Sequence, residues 1–168
     1  SKAIHYYTKC IEYDDKLHSI YNKYKYIANN DLGLIYLINF DDIETATQFL
    51  KEAGLNEYPH GQNNLGLLYQ FYLNNMGNAD YMYQRASKNN FALAQFNLGY
   101  LNEKNGNDQK AIEFYILASK NENSQLSFHN LIKTDVQFEI SKTFIITLAN
   151  LKIVHYYLLQ SNFEEARK

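Results

Sequence analysis

The chain has 168 residues, a formal net charge of −2 at pH 7 and a calculated pI near 6.2. This charge balance offers no basic surface for nucleic acid or for an anionic membrane, so both partner classes are disfavoured. The sequence contains no apolar run long enough to span a membrane, and its first residues do not match a secretory signal peptide.

Apolar residues recur with helical spacing along the chain, and cap signals divide this pattern into separate helices. Asp42 and Asp108 fit the caps or first turns of two helices, and Pro59 fits the first turn of another. Gly54 is predicted to end the helix that precedes Pro59. We therefore predict helices, in chain order, over 1–12, 17–38, 42–53, 60–73, 78–89, 92–104, 108–120, 124–134 and 144–159, with a further helix opening at 162–166.

A leucine-glycine motif repeats with a period of 33 residues, at Gly33, Gly66 and Gly99. A fourth copy has Ile132 in the glycine position. A second motif, a pair of small residues seven apart, lies between the glycine motifs and follows the same period, with steps of 33 and 32 residues. Self-similarity at a fixed period predicts a repeat array. The small-residue pairs are Ala46 and Ala53, Ala79 and Ala86, and Ala111 and Ala118.

Each repeat is predicted to be two antiparallel helices: an A helix, which carries the glycine, and a B helix, which carries the small-residue pair. Seven residues is almost two helical turns, so each pair lies on one side of its helix and lets a neighbour approach closely. A glycine inside a helix costs about 1 kcal/mol relative to alanine, so the A-helix glycines predict a compensating close contact. We predict a single helical-repeat domain, 1–168, that is a segment of a longer array, with units at about 1–12 (partial), 17–54, 59–89, 92–120 and 124–168 (divergent).

The A-helix block Gly61–Tyr69 and the B-helix block Lys110–Ala118 carry a family resemblance. They are similar to Sel1-like repeats, which are close relatives of tetratricopeptide repeats, and the resemblance covers about 26–120 well and 1–12 and 124–134 weakly. It implies an all-α fold, an α-solenoid of antiparallel helix pairs wound into a right-handed superhelix. The period is nearer to the tetratricopeptide length, and the glycine-rich A–B loop of Sel1-like units is missing, so the choice between the two branches stays open.

Residue patterns typical of catalysis or metal binding are weak throughout the sequence. The lone Cys10 excludes an intrachain disulfide and is predicted to be a buried thiol in a helix seam. No histidine forms a His-Glu-x-x-His pair or joins cysteines at zinc spacing, and the glycines lie in helices rather than in phosphate-binding loops. We therefore expect a non-catalytic protein with no cofactor and no metal. The lack of Asn-x-Ser/Thr sequences favours an intracellular, cytoplasmic location.

A candidate binding site follows from the resemblance, because A helices line the concave surface of such solenoids. A polar residue lies two positions before each glycine position, and together these residues form a polar ladder. In related solenoids, asparagines at this position hold the main chain of an extended peptide. An amide suits this task because it both donates and accepts hydrogen bonds. The predicted groove comprises this ladder and two flanking rows: Asp31, Asn64, Asn97 and Asn130; Asn30, Asn63, Phe96 and His129; Leu34, Leu67, Tyr100 and Lys133.

A second interpretation of the ladder stays open. Its asparagines can instead bond a neighbouring helix and so fix the angle between repeats. A charged clamp for a C-terminal carboxylate is disfavoured, because only Lys104 and Lys133 would face the groove.

These patterns predict a protein–protein interaction module, an adaptor or scaffold that binds a peptide or protein partner in the concave groove. Two alternatives stay open: a structural subunit permanently buried in a larger assembly, and a regulatory arm of an enzyme whose catalytic domain lies outside this segment. Helical-repeat RNA binding is disfavoured, because it requires a basic groove.

Overall fold

The computed structural model describes residues 2–14, 22–121 and 142–166, which form eight α-helices and contain no β-strand. The predicted all-α class is confirmed for these residues. Helices that follow one another in the sequence pack side by side: the first with the second, the second with the third, the third with the fourth, the sixth with the seventh, and the seventh with the eighth. The helices are α1 (Lys2–Asp14), α2 (Asn22–Asn39), α3 (Ile43–Leu55), α4 (Pro59–Phe71), α5 (Met76–Lys88), α6 (Ala92–Lys104), α7 (Asp108–Ser119) and α8 (Lys142–Ala166).

The predicted helix positions agree with this order. By the motifs they carry, α2, α4 and α6 are A helices, and α3, α5 and α7 are B helices. Two cap signals are confirmed: the backbone N–H of Thr45 donates to the Asp42 carboxylate at 3.0 Å, and Pro59 is the first residue of α4. The helix predicted at 124–134, and the start of the one predicted at 17–38, lie outside the described residues.

Two predicted helix ends are wrong. The final helix runs without interruption from Lys142 to Ala166, because no glycine or proline is present after Leu159 to stop its hydrogen-bond ladder. Gly54 lies inside α3 instead of ending it. A Cβ on Gly54 would stand 2.9 Å from Cδ2 of Leu65, so this glycine allows α4 to approach α3 closely.

The helices form two compact units, which we describe separately. Unit 1 contains α1 to α4 and α5 as far as Ala86, and unit 2 contains α6, α7 and α8. The core of unit 1 is aliphatic, and half-buried aromatic residues pack around it. Its buried members are Leu34, Leu37, Ala46, Leu50, Leu65, Leu68 and Met82. In unit 2 the buried apolar side chains include Leu98, Leu101, Ala111, Ile112, Tyr115, Ala118, Ile145 and Ala149.

All six alanines of the B-helix pairs are buried, as the spacing predicts. In unit 1, Ala53 allows the backbones of α3 and α4 to approach closely, since a Cβ on Gly61 of α4 would stand 2.8 Å from the Cβ of Ala53. Cys10 departs from its prediction, because its side chain is only half-buried and its Sγ lies 3.9 Å from the backbone oxygen of Tyr24.

The A-helix glycines make the expected close contact, and its partner is an aromatic ring of the following B helix. A Cβ on Gly66 would lie 2.6 Å from Cε1 of Tyr83, and a Cβ on Gly99 would lie 2.6 Å from the ring of Tyr115. Each ring therefore lies directly against the backbone of an A helix. In the first copy the same place is filled by an aliphatic side chain, Leu50, against Gly33.

We expect Gly66→Leu to lower the free energy of unfolding by at least about 1–3 kcal/mol, because the buried Tyr83 ring cannot move away from the added carbons. Urea denaturation measures this change. The matched control is Gly77→Leu on α5, where an added Cβ meets only Asn75 at 3.9 Å and stability should be retained. Equal stability of the two variants would contradict a packing role for Gly66.

Candidate functional site

Four polar side chains of α2 and α4 form a continuous hydrogen-bond chain in unit 1. The amide of Asn63 donates to Oδ1 of Asn64 at 3.4 Å, and Nδ2 of Asn64 donates to Oδ1 of Asn30 at 2.8 Å. The amide of Asn30 then donates to Oδ1 of Asp31 at 3.1 Å. Because the central bond joins residues 34 apart in the sequence, this chain connects two successive A helices. We call it the amide bridge.

The amide bridge shows that Asn64 bonds a neighbouring helix, which is the second interpretation of the ladder. Asn30 and Asn63 are only 4% and 1% exposed, so their side chains offer no surface to a partner. Asp31 and Asn64 are half-buried, so part of each side chain remains accessible. The ladder in unit 1 therefore combines a structural bond with an accessible polar edge.

In the row one turn beyond the ladder, the prediction that Leu34 lies on the groove surface is wrong. Leu34 is 2% exposed and belongs to the hydrophobic core, whereas Leu67, one repeat later, is half-exposed. The next residue of α2, Ile35, is the half-exposed one, because a single helical step turns a side chain by about 100°. Leu34 is accordingly removed from the candidate surface.

An exposed aromatic residue extends the accessible face of α4. Phe71 lies seven residues after Asn64, almost two turns along the same side of the helix, and it is 63% exposed. With Ile38 and Lys104 it forms another row at the 33-residue period. Of this row, only Lys104 was predicted to face the groove, although the repeat spacing also gives Ile38 and Phe71. We call Asp31, Asn64, Leu67 and Phe71 the unit 1 strip.

Two tyrosines lie close to the acidic end of the strip. Burial raises the pKa of Tyr7 on α1, and the Asp31 carboxylate raises it further. Burial, with a smaller contribution from the Asp31 charge, raises the pKa of Tyr58 to about 12. Tyr58 is the residue before α4, and its ring stacks on His60 with centroids 5.1 Å apart. Both hydroxyls therefore stay neutral at physiological pH.

The predicted residues of unit 2 lie on α6. Phe96 is half-buried and packs on the Tyr115 ring, with centroids 5.3 Å apart. Asn97 and Tyr100 are also half-exposed, and Nζ of Lys104 lies 5.4 Å from the centroid of the Tyr100 ring. This distance fits a cation–π contact. His129, Asn130 and Lys133 lie outside the described residues.

Unit 2 also contains a small cavity between α7 and α8. Its volume is about 100 Å³, which holds about three water molecules and is far below the size of a cofactor site. Glu103 lines it and accepts hydrogen bonds from the Tyr115 hydroxyl at 2.6 Å and from Nζ of Lys152 at 2.8 Å. The lining residues are Glu103, Asp108, Ala111, Ile112, Tyr115, Lys152, His155, Tyr156 and Leu159.

The Glu103 carboxylate is held in its charged form. Burial alone would raise its pKa, but the hydrogen bonds from Lys152 and Tyr115 and the charges of Lys152 and Lys104 outweigh that effect and lower it. The bond to Lys152 joins residues 49 apart, on α6 and α8. The repeat spacing does not predict this pair, because α8 lies outside the repeat register.

Within the described residues, no three His, Cys, Asp or Glu side chains lie together as a metal site. No helix in the described part of the chain is both long and apolar enough to cross a bilayer. No protein-family model matches the chain, and no curated protein matches it significantly.

We expect Asn64→Ala to lower the free energy of unfolding by about 1–3 kcal/mol, because it leaves the buried Oδ1 of Asn30 without its donor. A double-mutant cycle with Asn30→Ala should give a coupling energy of at least about 0.5 kcal/mol. Asn39→Ala, at an exposed position of α2, is the control and should be neutral. Additive effects of the two bridge substitutions would contradict the bond.

We expect Glu103 to stabilise the fold near pH 7 and to lose this effect in acid. Its pKa is lowered on folding, so the stabilisation is present above the unfolded-chain value of about 4.3 and disappears as pH falls through the folded value. Urea denaturation from pH 3 to 7 gives the free energy of unfolding of wild type and of Glu103→Gln. The difference between the two should become smaller below about pH 4. Exposed Glu113→Gln is the control, and a pH-independent difference for Glu103→Gln would contradict the prediction.

Proposed function

We propose that this chain is a protein–protein interaction module that holds an extended segment of a partner protein along the unit 1 strip. The observation that carries the proposal is the arrangement of that strip. Accessible amide and carboxylate groups lie beside half-exposed Leu67 and exposed Phe71 on neighbouring helices. Peptide-binding surfaces combine these two elements, polar groups for the main chain and apolar groups for a side chain.

Asn64 can contact a peptide without giving up the amide bridge. Its Nδ2 donates to Asn30, and in the described part of the chain its Oδ1 accepts a long bond of 3.4 Å from Asn63. An amide oxygen has two lone pairs, so Oδ1 has capacity for a peptide N–H. The bridge holds this oxygen in place before a ligand arrives, which reduces the entropy cost of binding.

Phe71 supplies the apolar anchor in this proposal. Large aromatic side chains that are exposed in the free protein contribute strongly to binding when a partner covers them. Phe71 is the last residue of α4, and Leu67 lies one turn before it. A partner side chain placed between them would bury apolar surface of both.

We further infer that the helix pairs belong to an α-solenoid of the Sel1-like or tetratricopeptide-like kind, wound as a right-handed superhelix. The 33-residue period and the buried alanine pairs support this inference. The contact between an A-helix glycine and a B-helix tyrosine also recurs, at Gly66 in unit 1 and at Gly99 in unit 2. Adaptor or scaffold is the role that such an array would serve, with no catalytic step.

A second candidate function is a structural subunit whose surfaces are covered in a larger assembly. Exposed apolar side chains along α8 favour it. Leu151, Val154 and Leu158 are all more than half exposed and recur at helical spacing, away from the face that contains buried Ile145 and Ala149. A permanently bound neighbour would cover this stripe.

We expect Phe71→Ser in the full-length protein to lose partners that wild type captures by proximity labelling, because the anchor of the strip is gone. The matched control is Tyr81→Ser, which removes a similarly exposed aromatic residue from α5 and should retain the partners. Thermal melting of the purified variants checks that both are folded. If Phe71→Ser retains every stoichiometric partner and Leu151→Ser with Leu158→Ser loses them, the structural-subunit function replaces the proposed one.

A further inference from the structure

The two turns of unit 1 that lead from an A helix to a B helix expose apolar side chains. Phe40 follows α2, Leu73 follows α4, and Met76 is the first residue of α5; their exposed fractions lie between 40% and 56%. Phe40 and Leu73 are 33 residues apart, so they occupy the same position in successive repeats. A single exposed apolar residue is ordinary, whereas a group of them at one place marks a contact surface. We call Phe40, Leu73 and Met76 the turn edge.

The packing of unit 1 brings the two turns to the same edge. Helices α2, α3 and α4 pack in sequence and are joined by short turns, so α2 and α4 run in the same direction and end at the same side. At the opposite edge, Ala53 near the end of α3 lies against Gly61 near the start of α4. Ile43 of α3 and Tyr72, which follows α4, both pack against the core of unit 1. The two turns therefore lie side by side.

Both turns have the same fixed backbone conformation. Asp41 and Asn74 have positive φ angles of 54° and 47°, a region that short polar side chains tolerate. The next residue in each turn, Asp42 or Asn75, accepts a hydrogen bond at 3.0 Å from the backbone N–H three residues later. A surface held in this way loses little conformational entropy when a partner covers it.

The third turn of this kind shows that the repeat does not require apolar side chains here. In the turn between α6 and α7, the position of Phe40 and Leu73 is taken by Gly106. A Cβ on Gly106 would meet nothing within 4 Å, and the residues on either side of it are asparagines. The apolar side chains of the turn edge are therefore a feature of unit 1.

The turn edge is bordered by negative charge. Asp41 and Glu44 are exposed close to Phe40 in the sequence, and Lys51 is the only lysine or arginine in residues 26–84. Protein interfaces commonly have an apolar centre and a polar rim. Here the rim carries carboxylates, so charge complementarity favours a basic partner. A second copy of the same edge is disfavoured, because it would place carboxylates against carboxylates.

We propose that the turn edge is a docking surface for a segment of a partner protein in which lysine or arginine flanks an apolar residue. The apolar residue of the segment covers Phe40, Leu73 and Met76, and its basic residues lie near Asp41 and Glu44. The unbranched side chain of Met76 can adapt to apolar groups of different shape. This inference goes beyond the proposed function, because it uses no residue of the unit 1 strip.

Selection of phage-displayed random dodecapeptides on the full-length protein tests this proposal. Wild type should enrich peptides in which lysine or arginine flanks an apolar residue. A synthetic copy of such a peptide should bind the double variant Phe40→Asn with Leu73→Asn about tenfold more weakly or worse. Leu55→Asn removes an exposed leucine from the opposite edge and should bind as wild type does, as should Phe71→Ser of the strip.

A matched pair of charge variants tests the basic preference without changing an apolar residue. Asp41→Asn with Glu44→Gln removes two charges beside the turn edge, and Glu57→Asn with Glu52→Gln removes two charges from the opposite edge. Asp41 and Glu57 both have positive φ, which asparagine adopts readily, so both variants should fold. Only the first variant should weaken the peptide, by about threefold or more, and added salt should reduce the difference.

Other results would overturn the docking surface. Peptides that need Phe71 but bind the Phe40→Asn, Leu73→Asn variant as tightly as wild type overturn it and leave the proposed function standing. Enriched peptides without a basic preference, or equal effects of the two charge variants, overturn the basic partner. A dimer in analytical ultracentrifugation that the Phe40→Asn, Leu73→Asn variant dissociates assigns the edge to a second copy instead. No enrichment on wild type over either the turn-edge variant or Phe71→Ser overturns both proposals.

Discussion

The contact between an A-helix glycine and the side chain of the next B helix determines how closely the two helices approach. At Gly66 and Gly99 a tyrosine ring occupies the space that a Cβ would need. The ring then directs its hydroxyl to the residue four positions after the glycine, with Tyr83 donating to Gln70 and Tyr115 donating to Glu103. One missing methyl group thus allows both a close backbone contact and a buried hydrogen bond, and these two together fix the rotation of the A helix about its axis.

That rotation decides which A-helix side chains remain accessible. On α4, the glycine side contacts the B helices and Asn63 is buried, while the Asn64 amide bonds α2. The accessible remainder includes Asn64, Leu67 and Phe71. In the proposed function these side chains contact an extended segment, which presents alternate side chains and main-chain groups along one line.

The repeats share the same contacts between helices but differ in charge at equivalent positions. Gln70 and Glu103 occupy the same position after the glycine, but the carboxylate of Glu103 needs a cation and obtains it from Lys152 of α8. In the ladder, Asp31 occupies the position that Asn64 holds in the next repeat, and it accepts a hydrogen bond from the Asn30 amide at 3.1 Å. Within the described residues, the Glu103 carboxylate is thus paired with a lysine, whereas the Asp31 carboxylate accepts a hydrogen bond from the neutral Asn30 amide.

The sequence alone determined the helical class, the order of the helices and the N-terminal signals at Asp42 and Pro59. It also predicted that the A-helix glycines pack closely against a neighbouring element. These features depend on local spacing and on backbone chemistry, which a single sequence records. Only the tertiary structure decided that Leu34 is buried while Leu67 is accessible, that Gly54 packs inside α3, and that Lys152 pairs with Glu103. Equivalent positions in a repeat share a helix face but not their neighbours, and burial depends on which neighbours cover that face. Periodicity therefore located the rows of the candidate site, and the surrounding helices determined which side chains in each row remain accessible.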